Sequence, residues 1–506
     1  MGGNIQNYEG VTLCGDLSED LKTIKKIFLR DAILRVRRFH AGGSLDLDCA
    51  AVYFDGMVNV PVLNDSIIRP LIDIGLFDLS ADSDAEPAQV IFDRVLYSNE
   101  IALTGDLSEM LRGIMYGDTL LLVDGSADAL VINTKGWERR SVSEPEDERI
   151  LEGPREGFCE SAMTNLSLIR RKLQTPDLCI ELLRVGRRTD TKIFLCYLGS
   201  LTPRRLIKEV RRRIERLEVD GIFDSNYLAE LTSARRYSLF RSSGSTERPD
   251  IVAARLLEGR AALIVDGTPM ALTFPYLFAE NFQSDEDYYQ NFLTASVGRA
   301  LRYLSFFISI CLPSVYIALT VFHRRLLPTA FLISLSSAAE GVPFSSVTEC
   351  VVLIIIFEIL KEAGVRTEQS LGTALSIVGG LVVGQAAVEA KLVSAPMLII
   401  VALSGIGGLM IPRLRAAVFY LRLLFVLLAS LLGLYGFFLG VAFLSVSILS
   451  MRSYGFDATP LTDSRDGIFR APLWKMKLRP PITENRVRMD HSKKEDMPYE
   501  DISIDN

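Results

Sequence analysis

The chain has 506 residues, 49% of them hydrophobic, with a mean hydropathy of +0.25 and a formal net charge of −7. That length leaves room for several domains, and so mild an acidic balance excludes a general nucleic-acid binder. Seven scattered cysteines without a CxxC pair exclude a disulfide scaffold and suit buried thiols in a reducing compartment.

Met1 to Lys26 is polar and lacks an apolar h-region, so no cleaved signal peptide is expected. The N-terminal region is then expected on the cytoplasmic side. Gly15-Asp16-Leu17-Ser18-Glu19 predicts a helix start with Asp16 or Ser18 as N-cap. The same five residues recur at Gly105–Glu109. Leu45–Asp55 reads as a strand, Asn64–Ile74 as a helix, and Leu120–Val123 with Ala129–Asn133 as a hairpin turning at Asp124-Gly125. An acidic linker follows over 141–157. A second unit then repeats the order: strands Leu178–Val185 and Lys192–Tyr197, helix Pro203–Glu218, hairpin Ala261–Val265 with Ala271–Phe274. Val265-Asp266-Gly267 echoes Val123-Asp124-Gly125. Two related α/β subdomains in tandem, or two hairpins alike by chance, both fit.

Helix Pro203–Glu218 carries Arg204, Arg205, Lys208, Arg211, Arg212, Arg213 and Arg216. Its cations could meet phosphates or lipid headgroups. Leu206, Val210, Ile214 and Leu217 at helical spacing favour the solvated face of an amphipathic helix, with Glu209 and Glu215 pairing to Arg213 and Arg211.

From Arg299 to Met451 the composition changes. Leu301–Val321, Leu371–Val388, Leu392–Ile411 and Ala416–Ser450 are apolar at or beyond the ~20 residues that cross a bilayer, and no Asp occurs between Tyr288 and Phe456. Ala416–Ser450 fits two short spans turning near Gly433 or Gly436. The fold class expected is an α/β N-terminal region of two tandem subdomains followed by an α-helical multi-span membrane domain. The boundaries are 1–140, the linker 141–157, 158–290, a membrane domain at 291–452 and a polar tail at 453–506. Four to six spans are expected.

No phosphate-binding loop ending in Gly-Lys-Ser/Thr and no GxSxG is present, and His40, His323 and His491 lie far apart. Neither catalysis, a metal nor a cofactor is therefore expected. Gly405-Ile406-Gly407-Gly408 lies in an apolar span, where close helix packing explains it. Polar groups at membrane depth are the candidate sites: Glu349 and Glu358 flank apolar Cys350–Phe357, and Gln385 lies four residues before Glu389. Ser376, Gly380 and Gly384, and again Gly436 and Gly440, recur every four residues as helix-packing faces, within one subunit or between subunits.

Several ordered motifs carry a resemblance. They include Gly153-Pro154-Arg155-Glu156-Gly157-Phe158, the run Thr164–Arg171, and Thr246-Glu247-Arg248-Pro249-Asp250. Val265–Pro269, Asp287-Tyr288-Tyr289, Val342-Pro343-Phe344, Phe357–Arg366 and Val378–Val388 complete them. From about Gly43 to Pro481 the chain resembles the A subunit of the GerA family of spore germinant receptors. The resemblance implies a homo-oligomeric, ion-conducting receptor subunit in the inner membrane of the endospore. It also implies a transporter-like B subunit and a lipoprotein C subunit as partners, with nutrient recognition mainly in B. The sequence departs from the family pattern at Thr367-Glu368, at Phe456-Asp457-Ala458 and at Ser242–Ser245. In such an oligomer Cys350–Phe357 would form a constriction that gates by dewetting, with Val352 and Ile355 facing inward and Glu349 and Glu358 at its ends. The alternatives are a secondary transporter using Glu349 or Glu358, which would need an inverted second half to match Val342–Gly364, and a structural scaffold for a partner subunit.

Overall fold

The computed structural model describes residues 5–42, 47–73, 86–96, 100–136, 148, 152–235, 237–366, 384–459, 467–483 and 487. The first unit runs α1 (Leu17–Ile27), β1 (Leu34–Ala41), β2 (Leu47–Phe54), a helical run α2 over 60–72, α3 (Pro87–Arg94), β3 (Ile101–Thr104), α4 (Leu107–Met115), β4 (Thr119–Val123) and β5 (Ala129–Ile132). The second runs α5 (Ala162–Lys172), β6 (Leu178–Val185), β7 (Thr191–Leu198), α6 (Arg204–Glu215), α7 (Ser225–Leu231), β8 (Gly244–Thr246), α8 (Pro249–Leu257), β9 (Ala261–Val265) and β10 (Ala271–Phe274). Each forms a five-stranded sheet, in the orders β1-β2-β4-β5-β3 and β6-β7-β9-β10-β8. These are one permutation, antiparallel throughout.

The repeated Val-Asp-Gly has a structural reason. Asp124 Oδ1 accepts from the Leu17 amide at 3.0 Å, and Gly125 N–H donates to the Gly15 carbonyl. In the second unit Asp266 Oδ1 accepts from the Ala162 amide at 3.1 Å, and Gly267 N–H donates to the Glu160 carbonyl. Both turns satisfy an otherwise orphaned donor at the N-terminus of the unit's first helix, and both place glycine at positive φ, +80° and +92°.

Alternation along the strands divides the core, as the two-residue period requires. Ala50, Val52 and Phe54 join Phe194, Cys196 and Leu198 in one core between the units. Cys49 and Ala51 face α2 and α3, while Ile193, Leu195 and Tyr197 face α6 and α7. Within the shared core Arg170 of α5 is fully buried, paired with Asp31 and lying 4.4 Å from the Phe54 ring. Backbone bonds of 2.8 Å between Ile180 and Arg30, and between Ala32 and Ile180, stitch the units together.

The helical part comprises α9 (Phe292–Ile317), α10 (Thr329–Ala338), α11 (Ser346–Arg366), α12 (Ala395–Leu409), α13 (Arg415–Leu432) and α14 (Leu434–Leu449). Among the described residues two helices are long and apolar enough to cross a membrane, Phe292–Phe322 and Pro412–Leu432; Thr329–Ala338, Ala395–Leu409 and Leu434–Leu449 are shorter apolar helices. The expected span Leu392–Ile411 yields a helix of only 15 residues, because the chain breaks from helix geometry around Met410–Pro412. At ~1.5 Å per residue that is roughly 22 Å, short of a hydrocarbon layer. Leu371–Val388 lies mostly outside the described residues. The turn between α13 and α14 falls at Gly433, whose φ of +61° favours glycine. Where described, the tail returns to the second unit: β11 (Arg452–Ser453) and β12 (Phe456–Asp457) set Tyr454 into its core, and Thr483 Oγ1 donates to the Leu201 carbonyl.

Candidate functional site

Charge collects where the sheets meet the helices. The run from Pro275 to Asn291 brings Glu280, Asp285 and Asp287 to this boundary. Glu280 is buried against Arg255 at 2.8 Å and pairs with Arg260. Burial alone would raise its pKa, but the two guanidiniums outweigh that and hold it low. Asp287 receives Arg299 and Arg302, each at 2.7 Å, and is likewise held low against its burial. Arg413, just before α13, reaches Asp285 at 3.3 Å, Glu148 at 3.5 Å and the Glu280 carbonyl at 3.2 Å. Glu148 also accepts from Thr246 Oγ1 at 2.6 Å, and burial beside Asp285 pushes its carboxyl up. Arg470 closes the group from the tail, donating to the Gln290 carbonyl at 2.7 Å.

The motif arginines and acids thus have work to do at this boundary. Arg248 pairs with Asp250 at 2.7 Å, and Tyr289 donates to the same carboxylate. Asn165 ties the preceding loop by accepting from the Cys159 amide at 2.8 Å and donating to its carbonyl.

Within the bundle, α11 presents two faces. Cys350, Leu353 and Ile354 are buried against α9 and α12, whereas Val352 and Ile355 are exposed, 42% and 44%. Glu349 lies on the buried side, accepting from Ser394 N–H at 2.5 Å and Ser394 Oγ at 2.7 Å, at the start of α12. Glu358 pairs with Lys361 at 2.6 Å, and Glu362 lies 3.5 Å from Arg415. Gln385 donates to Glu389 at 2.9 Å. Glu349, Val352, Ile355 and Glu358 all lie on α11, with Val352 and Ile355 on its exposed side and Glu349 turned toward Ser394.

Packing glycines lie where helices touch. A Cβ on Gly407 would come 3.1 Å from the Ser305 carbonyl of α9, and one on Gly405 would meet the Phe357 ring of α11 at 2.4 Å. A Cβ on Gly436 would come 2.0 Å from the Leu428 carbonyl of α13 and one on Gly440 3.2 Å from the Phe425 ring, while one on Gly384 would make only an ordinary contact with Leu398 at 3.5 Å. Ser376 and Gly380 lie outside the described residues.

Arg422 is the residue that periodicity does not find. It is buried in α13 and donates to the carbonyls of Ser309 and Ser404, each at 2.9 Å, tying α13 to α9 and α12. A signal was present: a cation inside so apolar a run as Ala416–Ser450 has to be satisfied within the protein, and here backbone carbonyls do it. Among the described residues no group of three or more His, Cys, Asp or Glu could hold a metal ion.

Residues 22–482 match the model of the Bacillus/Clostridium GerA spore germination protein family. The chain is similar to spore germination protein KA of Bacillus subtilis (strain 168), 37% identical over 94% of this chain and 89% of that one. It is also similar to spore germination protein GerLA of Bacillus cereus, 32% identical over 93% and 96%. A crystal structure of the N-terminal domain of the A subunit of the Bacillus megaterium spore germinant receptor GerK3 aligns with 53% of this chain and 97% of that one, at 31% identity and a TM-score of 0.41.

Proposed function

The chain belongs to the GerA family of spore germination proteins, and from that premise we propose that it is the A subunit of a nutrient germinant receptor. It crosses the inner membrane of the spore several times, with its sheet units on the cytoplasmic side. It works with a B and a C subunit, and as a homo-oligomer it forms the path through which ions leave when a small-molecule nutrient is sensed.

The observation that carries this reading is the two-sided α11. Its inner side is fixed by Glu349 to Ser394, while Val352, Ile355 and Ile359 form an open apolar strip that ends beside Glu358. In a ring of subunits such a strip would line a dry constriction with carboxylates at its mouth, and a polar substitution there would admit water. Ser376, Gly380, Gly384, Gly436 and Gly440 are assigned to helix packing, within the subunit or between subunits.

The test is ion release from spores carrying Val352→Ser or Ile355→Ser, with subunit abundance measured in parallel. Release without nutrient at normal abundance is the expected result. Serine scanned along Val351–Phe357 with no rise in spontaneous release would place the path elsewhere.

A further inference from the structure

The basic helix α6 does more than present a solvated face. Its apolar side, Leu206, Ile207, Val210 and Ile214, is buried in the second unit. Some of its charges are satisfied within the fold: Glu209 takes both Arg212 and Arg213, and Arg211 pairs with Glu181 of β6 rather than with Glu215. Among the described residues, Arg204 and Lys208 have no carboxylate partner.

These two open onto a cleft of about 700 Å³ between α6 and the strand that leaves the helical bundle. Arg205, Arg212, Arg213 and Arg452 line it too, so six cations face one lining carboxylate, Glu209; Arg452 also reaches Asp457 at 3.4 Å. The cleft's position narrows what can fill it. Apolar α14 ends at Leu449, and Arg452 and Gly455 of the cleft follow within a few residues. Arg205 donates to the Gly455 carbonyl and Arg235 to Ser450 Oγ, each at 3.2 Å, so the basic surface is fastened to the foot of that helix. Phe443, Val446 and Leu449 of α14 are exposed just before the charge begins.

Apolar surface followed at once by converging cations matches a molecule with an acyl chain and an anionic phosphodiester. We propose that this cleft binds the headgroup of an anionic phospholipid, so that the second sheet unit rests on the membrane surface. The inference rests on the membrane reading above. Guanidinium groups suit the headgroup because they offer paired donors to phosphate oxygens.

The experiment uses the full chain, purified in a zwitterionic detergent and reconstituted into vesicles of phosphatidylcholine alone or with phosphatidylglycerol. Resistance to alkaline extraction from pure phosphatidylcholine tests membrane insertion by itself. A chain that never inserts there sinks the membrane reading and this proposal with it. Lipid retained on the re-extracted protein, measured by native mass spectrometry, tests the cleft. The wild type is expected to retain phosphatidylglycerol over phosphatidylcholine. In R204Q/K208Q, which changes two exposed side chains, that preference falls roughly thirtyfold, from the contribution of each cation near an anionic surface. R38Q/K25Q, on exposed positions of the first unit, should keep it. Equal retention of both lipids by the wild type, an unchanged preference in R204Q/K208Q, or the same loss in R38Q/K25Q would overturn the proposal. Displacement of phosphatidylglycerol by millimolar inorganic phosphate would make this a free-anion site and overturn it also.

Discussion

At the scale of single residues, the boundary carboxylates hold buried charge. Asp287 sits against a fully buried Arg299, so the attraction is felt at low dielectric and each member depends on the other. Its folded pKa lies below its unfolded value, so the native state binds fewer protons there. The stabilisation is whole above about pH 4 and is lost as pH falls through the depressed folded value. Asp287→Asn leaves Arg299 and Arg302 without their carboxylate. The variant should melt at lower temperature at neutral pH and lose less on acidification than the wild type. Thermal unfolding of the detergent-solubilised chain, followed by circular dichroism from neutral to about pH 3, reads both effects. An acid limb as steep in the variant as in the wild type would assign the titration to another group, with Glu280 the first to examine.

At the scale of elements, close approach decides which glycines matter. Gly436→Ala places a methyl against the Leu428 carbonyl and should force α13 and α14 apart, at a cost of about 1–3 kcal/mol typical of overpacking. Gly384→Ala adds a methyl at ordinary contact distance and should be nearly neutral. Melting temperatures of the two variants in one detergent separate them; equal melting would remove Gly436 from the packing face. The spacing of four was legible in the sequence, but not which repeats press on backbone, because that depends on the partner helix. Hairpins and helix starts were legible for a similar reason: turn residues and caps act over a few positions. The matching Val-Asp-Gly turns showed more than local chemistry, since both strand orders are the same. Strand β1 was missed because Leu-Arg-Val-Arg-Arg-Phe-His-Ala lies at a sheet edge and is rich in charge, which hides the alternation of a buried strand. The boundary site was hidden too, as Arg413 and Glu148 lie 265 positions apart.

At the scale of the molecule, Arg413 is one of the contacts that join the sheets to the bundle. It stands at the foot of α13 and touches the linker residue Glu148 and the run before α9 at once. Arg413→Gln should leave subunit abundance near normal while weakening the response of spores to nutrient, read as slower loss of optical density. A normal response would mean that signals travel by other contacts. The way the tail returns also has a bearing on topology. The run before α9 is fastened to the second unit through Glu280 and Arg260, and Tyr454, just after α14, is buried in that same unit with its hydroxyl 2.7 Å from Thr232 Oγ1. A cord whose two ends are tied to one body on one side of a sheet can pierce that sheet only in pairs. If the chain spans a bilayer as proposed, parity constrains the crossings between Phe292 and Leu449: an odd number would leave Tyr454 on the wrong side, and the second unit without part of its core.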